Sequence, residues 1–166
     1  MTSFETELTA LLPRVRRFAR ALTGGAADGD DLVQIAMERA LRNRDRYQPG
    51  TRMDMWLFRI VRNALIDQVR QRRRRPEAAL EAADHVAGDD GAGAAERRLM
   101  LARTLAALDA LPIDQREVLA LVALDGMSYR EAAEALDIPI GTVMSRIARG
   151  RAAIAAAVGQ GNDVLT

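Results

Sequence analysis

The segment Ser128-Tyr129-Arg130-Glu131-Ala132-Ala133-Glu134-Ala135-Leu136-Asp137-Ile138-Pro139-Ile140-Gly141-Thr142-Val143-Met144-Ser145-Arg146-Ile147 decides the fold. Ser128 and Glu131, three positions apart, make the capping-box pattern that opens a short helix running through Leu136. A tight Asp137-Ile138 turn follows, and Pro139 sits where the first helical turn tolerates it, so a last helix is expected to about Val158. Two helices joined by three or four residues form the helix-turn-helix arrangement, whose second helix usually lies in the DNA major groove. On that last helix Val143, Ile147, Gly150 and Ile154 fall on one stripe, and Thr142, Ser145, Arg146 and Arg149 on the opposite one. The second stripe carries no acid, begins where the helix dipole favours phosphate, and holds side chains that bond phosphates and base edges. On an isolated helix such a face reads first as a solvated one; two capped helices with a short Pro-containing turn shift the reading towards DNA.

Working back from this motif, Leu101, Leu105 and Leu108 begin a helix that halts at Leu111-Pro112. A further helix restarts at Asp114, which with Glu117 predicts another capping box. Val118, Leu119, Leu121 and Val122 make it mostly core, and Asp125-Gly126 ends it. Residues 76–95 are largely Ala, Gly, Asp and Glu with almost nothing large to bury, so they are expected to form a flexible acidic tether. Before it, Leu8, Leu11, Leu12, Val15, Phe18, Ala19 and Leu22 recur at helical spacing, and Gly24 and Gly25 close that helix. Asp28 and Asp30 offer N-caps to a second helix carrying Leu32, Ile35, Ala36, Ala40 and Leu41 on one face, until Tyr47, Pro49 and Gly50 break it. A third carries Met53, Trp56, Leu57, Ile60, Val61 and Ala64 and runs into the Arg72 to Arg75 block, where Pro76 stops it. No strand-like alternation occurs, so the expected fold is all-α: two small helical domains, 1–75 and 96–166, joined by the linker 76–95.

Net charge is only +1 over 166 residues, but it is segregated. Residues 1–75 carry 16 arginines against 9 acidic residues, 76–95 carry 5 acidic residues and no basic one, and 96–166 carry 8 against 9. Every one of the 24 basic residues is Arg. That suits bidentate contact with phosphate or guanine, although the codon bias of a GC-rich genome produces the same preference. With no cysteine and His85 alone, neither a disulfide framework nor a metal site is expected, and no cofactor. No apolar run reaches eighteen residues and the N-terminus lacks a secretory pattern, so the expected location is the cytoplasm, with no membrane contact.

The stretches Leu111-Pro112-x-x-Gln115-Arg116-Glu117-Val118-Leu119, Gly126-Met127-Ser128-Tyr129-Arg130-Glu131-Ala132-Ala133 and Ile138-Pro139-Ile140-Gly141-Thr142-Val143-Met144-Ser145-Arg146 resemble region 4 of bacterial sigma factors over about fifty residues. The resemblance implies a grip on the minus-thirty-five promoter element by Thr142, Ser145, Arg146 and Arg149, with Arg130 near the DNA backbone. Met144 stands where the family often has a basic residue, and Ala148 where it often has His; both departures bear on promoter choice.

Asp30-Asp31-Leu32-Val33-Gln34 with Met37-Glu38-Arg39-Ala40-Leu41 is similar to the part of sigma region 2 that binds the coiled coil of the polymerase's largest subunit. This implies core-polymerase contacts from Asp31, Leu32, Gln34, Ile35 and Glu38; an Asp-rich helix start is also what ordinary capping produces. Ile35 replaces a Glu common in the family after Gln34. Trp56-Leu57-Phe58-Arg59-Ile60-Val61-Arg62-Asn63-Ala64-Leu65-Ile66-Asp67 resembles the promoter-melting and minus-ten-recognition helix, which implies DNA contacts from Arg59, Arg62, Asn63, Asp67, Arg70 and Arg74. Five of these, all but Arg62, recur at steps of three and four as one polar stripe. The loop from Tyr47 to Asp54 and the Arg stripe together offer a pocket for an extruded base and cations for its phosphates. Trp56 reads as a core residue by spacing. The Arg72 to Arg75 block reads as a phosphate contact or as a solvated helix end that complements the dipole.

Both resemblances in this order, with no domain between them, correspond to the minimal extracytoplasmic-function sigma factor. They imply as partners core RNA polymerase, at its beta-prime clamp and beta flap, promoter DNA and an anti-sigma factor. The acidic tether then either occupies the polymerase's basic RNA-exit channel or merely keeps the connection soluble. Two alternatives are a stand-alone helix-turn-helix regulator, which lacks a dimer seam here, and a sigma mimic that sequesters an anti-sigma factor. With no glycine-rich phosphate loop, nucleophile motif or metal cluster, an enzyme is the least favoured class.

Overall fold

The computed structural model describes residues 3–74 and 93–159; the acidic stretch lies almost wholly outside them, as does Pro76. Helix α1 spans Ser3–Thr23, α2 Ala26–Arg42, and α3 Met53–Arg74, with a short 3-10 turn at Arg44–Arg46. Helix α4 spans Ala94–Ala110, α5 Ile113–Leu119, α6 Tyr129–Leu136 and α7 Ile140–Gly159. Among the described residues there is no strand.

The three N-terminal helices enclose Val15, Phe18, Leu22, Leu32, Met53, Leu57, Phe58 and Val61, all essentially inaccessible. The Phe18 and Phe58 rings meet edge to face with centroids 4.9 Å apart, the arrangement that the ring quadrupoles favour. Gly24 ends α1 in the left-handed region, at φ 73°, which is its expected role. The start of α2 departs from expectation. Its N-cap is Gly25 and no side chain caps it, so Asp28 and Asp30 lie inside the helix. Asp30 instead accepts hydrogen bonds from Arg20, Nε at 3.1 Å and Nη2 at 2.9 Å, because a carboxylate one turn in faces the neighbouring helix rather than its own amides. The buried face of α2 is Leu32, Val33, Ala36 and Ala40; Leu41 is largely exposed.

The C-terminal helices close around Val118, Leu121, Met127, Ala132, Leu136, Val143 and Ile147. The capping box at α6 forms as expected: Ser128 Oγ accepts from Glu131 N at 3.2 Å, and Glu131 Oε2 accepts from Ser128 N at 2.8 Å. After α6 the chain turns through Asp137, the one described non-glycine residue with positive φ. Ile138 N then donates to Ala133 O at 3.0 Å, closing the helix end in the Schellman pattern.

The capping box expected at Asp114 and Glu117 does not form, since the N-cap is Pro112 and Glu117 points inward at 1% exposure. Beyond α5 the helix widens into a π-turn over Ala120–Leu124, with Asp125 N donating to Ala120 O at 3.2 Å. Helix α4 starts earlier than its leucines suggest and buries little: Leu101 and Leu105 are exposed, while Ala107 is buried.

The two helical groups are in contact, α1 against α5 and its π-turn and α3 against α6. Polar side chains tie this contact. Arg14 on α1 grips Asp125 through Nε at 2.9 Å and Nη2 at 2.6 Å, and also reaches Asp54 at 3.1 Å. Arg116 on α5 donates to Leu22 O at the end of α1 at 2.8 Å, supplying a donor to a carbonyl that the helix end leaves free.

Candidate functional site

The helix-turn-helix presents α7 as its second helix, as the capping pattern requires. Ser145 and Arg149 lie on the exposed face together with Met144 and Ala148, and Thr142 is half-exposed. Ser145 Oγ donates to Thr142 O at 3.0 Å and Arg149 Nε to Ser145 O at 3.3 Å, so these side chains lie along the helix surface. Arg130 is exposed at the start of α6. Arg146 does not share the outward face. Its side chain is 17% exposed and turns back to α5, with Nη1 at 3.1 Å from Glu117 Oε1 and Nε at 3.3 Å from Asp114 Oδ2. The spacing that grouped Arg146 with Ser145 and Arg149 fixes only the angle around the helix. A flexible Arg at the edge of that stripe follows the nearest buried carboxylate.

On α3, Asn63, Arg70 and Arg74 are exposed, and Asp67 accepts from Arg39 Nη1 on α2 at 2.8 Å. Arg59 and Arg62 are committed across the contact. Arg59 Nη2 donates to Glu134 O at 2.9 Å, at the C-terminal end of α6, where orphan carbonyls favour a cation. Arg62 Nε lies 2.7 Å from Glu117 Oε2. Glu117 therefore receives one arginine from each helical group. Burial pushes its carboxyl above the ordinary range, although Arg62 and Arg146 pull the other way.

At the N-terminus of α3, Asp54 is nearly buried. Burial raises its carboxyl, but Arg52, at 3.1 and 2.7 Å, together with the Met55 amide and Arg14 holds it below the usual value overall. Arg52 also reaches over to Glu131 of α6, Nη1 to Oε1 at 2.7 Å. That contact, with the Ser128 amide and hydroxyl, lowers Glu131 to about 2. Beside this cluster the loop 47–52 is pinned by Tyr47 Oη donating to Thr51 O at 2.9 Å. Trp56 is half-buried rather than core: its ring stands against Tyr47 at 5.3 Å and Phe4 at 6.1 Å, an aromatic corner open on one side.

On α2, Asp31, Gln34 and Glu38 are exposed and Ile35 is half-exposed, one turn apart along a single outer stripe that ends at Leu41. Leu32 is not part of it. At 0% exposure it belongs to the inward stripe with Ala36 and Ala40, so a partner cannot touch it while the bundle is intact.

Residues 8–75 match the family pattern of sigma-70 region 2, and residues 101–154 that of sigma-70 region 4. The ECF RNA polymerase sigma factor EcfG of Rhodopseudomonas palustris is 41% identical over 162 residues, covering 93% of this chain and 84% of that protein. The chain belongs to the ECF RNA polymerase sigma factors. Among solved structures, the sigma factor RpoE of Bartonella quintana, in complex with the anti-sigma factor NepR, matches this ECF sigma factor with a TM-score of 0.78 and 31% identity, covering 96% of this chain and 98% of that one. CnrH, in complex with the cytosolic domain of CnrY, matches with a TM-score of 0.68 and 29% identity, covering 95% and 88%. As a member of this family, the protein acts with RNA polymerase on promoter DNA.

Sequence patterns left out Arg14, placed Arg52 and Asp54 only within the loop from Tyr47 to Asp54 and Asp125 only at a helix end, and assigned Glu117 to a cap. For Glu117 a signal existed: it stands four residues after Ile113 and four before Leu121, in phase with the apolar stripe. The other four are tied across sequence separations that periodicity does not reach.

Proposed function

We propose that this ECF sigma factor docks on core polymerase through the outer stripe of α2 and places two DNA-reading surfaces on one promoter. Asp31, Gln34, Ile35 and Glu38 offer an acidic and mixed face to the coiled coil of the beta-prime clamp; residues 96–166 bind the beta flap. In this scheme residues 1–75 act as the minus-ten module, with Asn63, Arg70 and Arg74 on the strand path and Arg59 and Arg62 joining them once the groups part. Residues 96–166 act as the minus-thirty-five module, with Thr142, Ser145 and Arg149 on the duplex and Arg130 near its backbone. Tethering two weak DNA contacts on one enzyme raises the effective concentration of the second, which makes their spacing a specificity element.

The observation that carries this reading is the exposed Ser145 and Arg149 on the second helix of a capped helix-turn-helix. An anti-sigma factor as restraint is supported by the likeness to RpoE, solved with NepR. Action in the cytoplasm, without bond chemistry of its own, accords with these partners, and no helix among the described residues is long and apolar enough to cross a membrane. Run-off transcription with core polymerase on fragmented genomic DNA tests the proposal: discrete start sites that need both proteins are expected. Failure of the purified chain to associate with core polymerase would end it.

A further inference from the structure

Helix α7 carries an uncharged row beside its polar one. Successive residues stand about 100° apart around a helix, so Val143, Ile147 and Gly150 set the buried side and Ser145 stands opposite them. Thr142 and Arg149 flank Ser145 on one side, and Met144 and Ala148, both exposed, on the other. Met144 is 53% exposed, and Ile140, one turn before it, 48%. Apolar side chains scattered singly over a surface need no explanation. These two are neighbours at i and i+4, in the first turns of the second helix of a helix-turn-helix, where base edges are met. Arg146 adds no charge beside them, since it turns back to Glu117 at 3.1 Å.

A guanidinium or amide in this row would bond to purine edges, but Ile and Ala side chains offer neither donor nor acceptor, and the Met thioether is only a weak acceptor. The group that such a surface can distinguish in the major groove is the C5-methyl of thymine, the apolar mark among the base edges. We propose that Met144 is a specificity-determining residue that buries a thymine methyl of the minus-thirty-five element, with Ile140 and Ala148 excluding water beside it and Ser145 and Arg149 on the polar side of the same groove. The inference rests on the reading of α7 given above and deepens it. An unbranched thioether chain adapts its rotamers to the position of the methyl. The apolar surface that Met144 leaves in water in the free protein is then covered when DNA binds, which favours an A·T pair beneath it over a G·C pair.

The test uses the full chain bound to core polymerase and, as probe, the duplex promoter recovered by run-off transcription. Each thymine of its minus-thirty-five element is replaced singly by deoxyuridine, which lacks the methyl and keeps every hydrogen-bonding group. Losing one buried methyl should weaken binding about fourfold, so wild type is expected to bind at least one deoxyuridine duplex that much more weakly. Met144→Ala is expected to bind the unmodified promoter about fourfold more weakly and to lose nothing further at that position. Met144→Leu, which keeps an apolar side chain, is expected to retain the discrimination, and Arg149→Ala to bind more weakly while discriminating as wild type does. Association with core polymerase reports that each variant is folded. An element with no thymine on either strand, equal binding of all the deoxyuridine duplexes, or the same discrimination by Met144→Ala as by wild type overturns the inference. If Arg149→Ala still weakens binding in those cases, the reading of α7 stands without it. Equal binding of a promoter whose minus-thirty-five element is scrambled removes the reading itself.

Discussion

Glu117 and Arg146, 29 residues apart, are paired at 3.1 Å, and the same carboxylate takes Arg62 of α3 on its other oxygen at 2.7 Å. Helices α3, α5 and α7 thus converge on one buried acid.

The titration of that acid has a definite sign. Burial holds the folded-state value of Glu117 above its ordinary 4.5, against the pull of Arg62 and Arg146, with Asp114 adding slightly to the rise. A carboxyl raised on folding contributes stability that is complete below the unfolded value and lost as pH rises through the folded one. The wild type should therefore gain stability relative to Glu117→Gln as pH is lowered from 8 towards about 4.5. Denaturation midpoints in urea across that window read it out. Parallel curves for the two proteins would show that Glu117 does not titrate there. Glu131, held at about 2, works in the opposite direction: its contribution is present above the unfolded value and is lost only as pH falls below that window.

At Gly29 helices α1 and α2 approach closely. A Cβ there would stand 2.5 Å from Arg20 Cγ and 2.7 Å from Arg20 Cα. The second atom is backbone and cannot step aside. Gly29→Ala gains about 1 kcal/mol of helix propensity but forces two helices apart, which in packed interiors costs about 1–3 kcal/mol, occasionally more. A net loss of about 1 kcal/mol is expected from urea denaturation. A variant as stable as wild type would mean that the helices shift without cost.

The limits of sequence reading follow the same physics. Helix periods and the Ser128–Glu131 capping box were legible because they depend on residues three and four apart. The N-caps assigned to Asp28, Asp30 and Asp114 were not. Each acid has a plausible local role, yet at Asp30 and Asp114 an arginine brought near by tertiary packing, Arg20 or Arg146, is the partner that forms. Glycine's role at position 29 is likewise invisible without the neighbouring helix. Leu32 illustrates a finer limit. The resemblance places a contact segment on α2, but a phase of one residue separates its outer face from its core, and Leu32 falls on the core side.

Asn63 is exposed in the middle of α3, within the polar stripe but not bonded across the contact. Asn63→Ala should leave both folding and affinity for core polymerase unchanged and reduce promoter opening. Permanganate reactivity of unpaired thymines, measured with saturating polymerase, reads the opening step. Equal loss of core affinity would make the residue structural.

Arg146 and Arg149 stand one turn-edge apart on α7, yet they are expected to fail in different ways. Arg149 is exposed and, among the described residues, hydrogen-bonds only Ser145 O on its own helix, so Arg149→Ala should change stability by less than about 0.5 kcal/mol. If it reads the duplex, its loss weakens minus-thirty-five binding by about 1–3 kcal/mol. Arg146 holds Glu117, and its removal leaves that buried carboxylate dependent on Arg62 alone. Arg146→Ala should therefore cost about 2 kcal/mol of stability, below the full penalty of an orphaned buried charge because one partner remains. Urea denaturation and duplex binding, measured on both variants, separate the roles. Unchanged duplex affinity in Arg149→Ala removes it from the readout, and wild-type stability in Arg146→Ala would show that Arg62 suffices to neutralise Glu117.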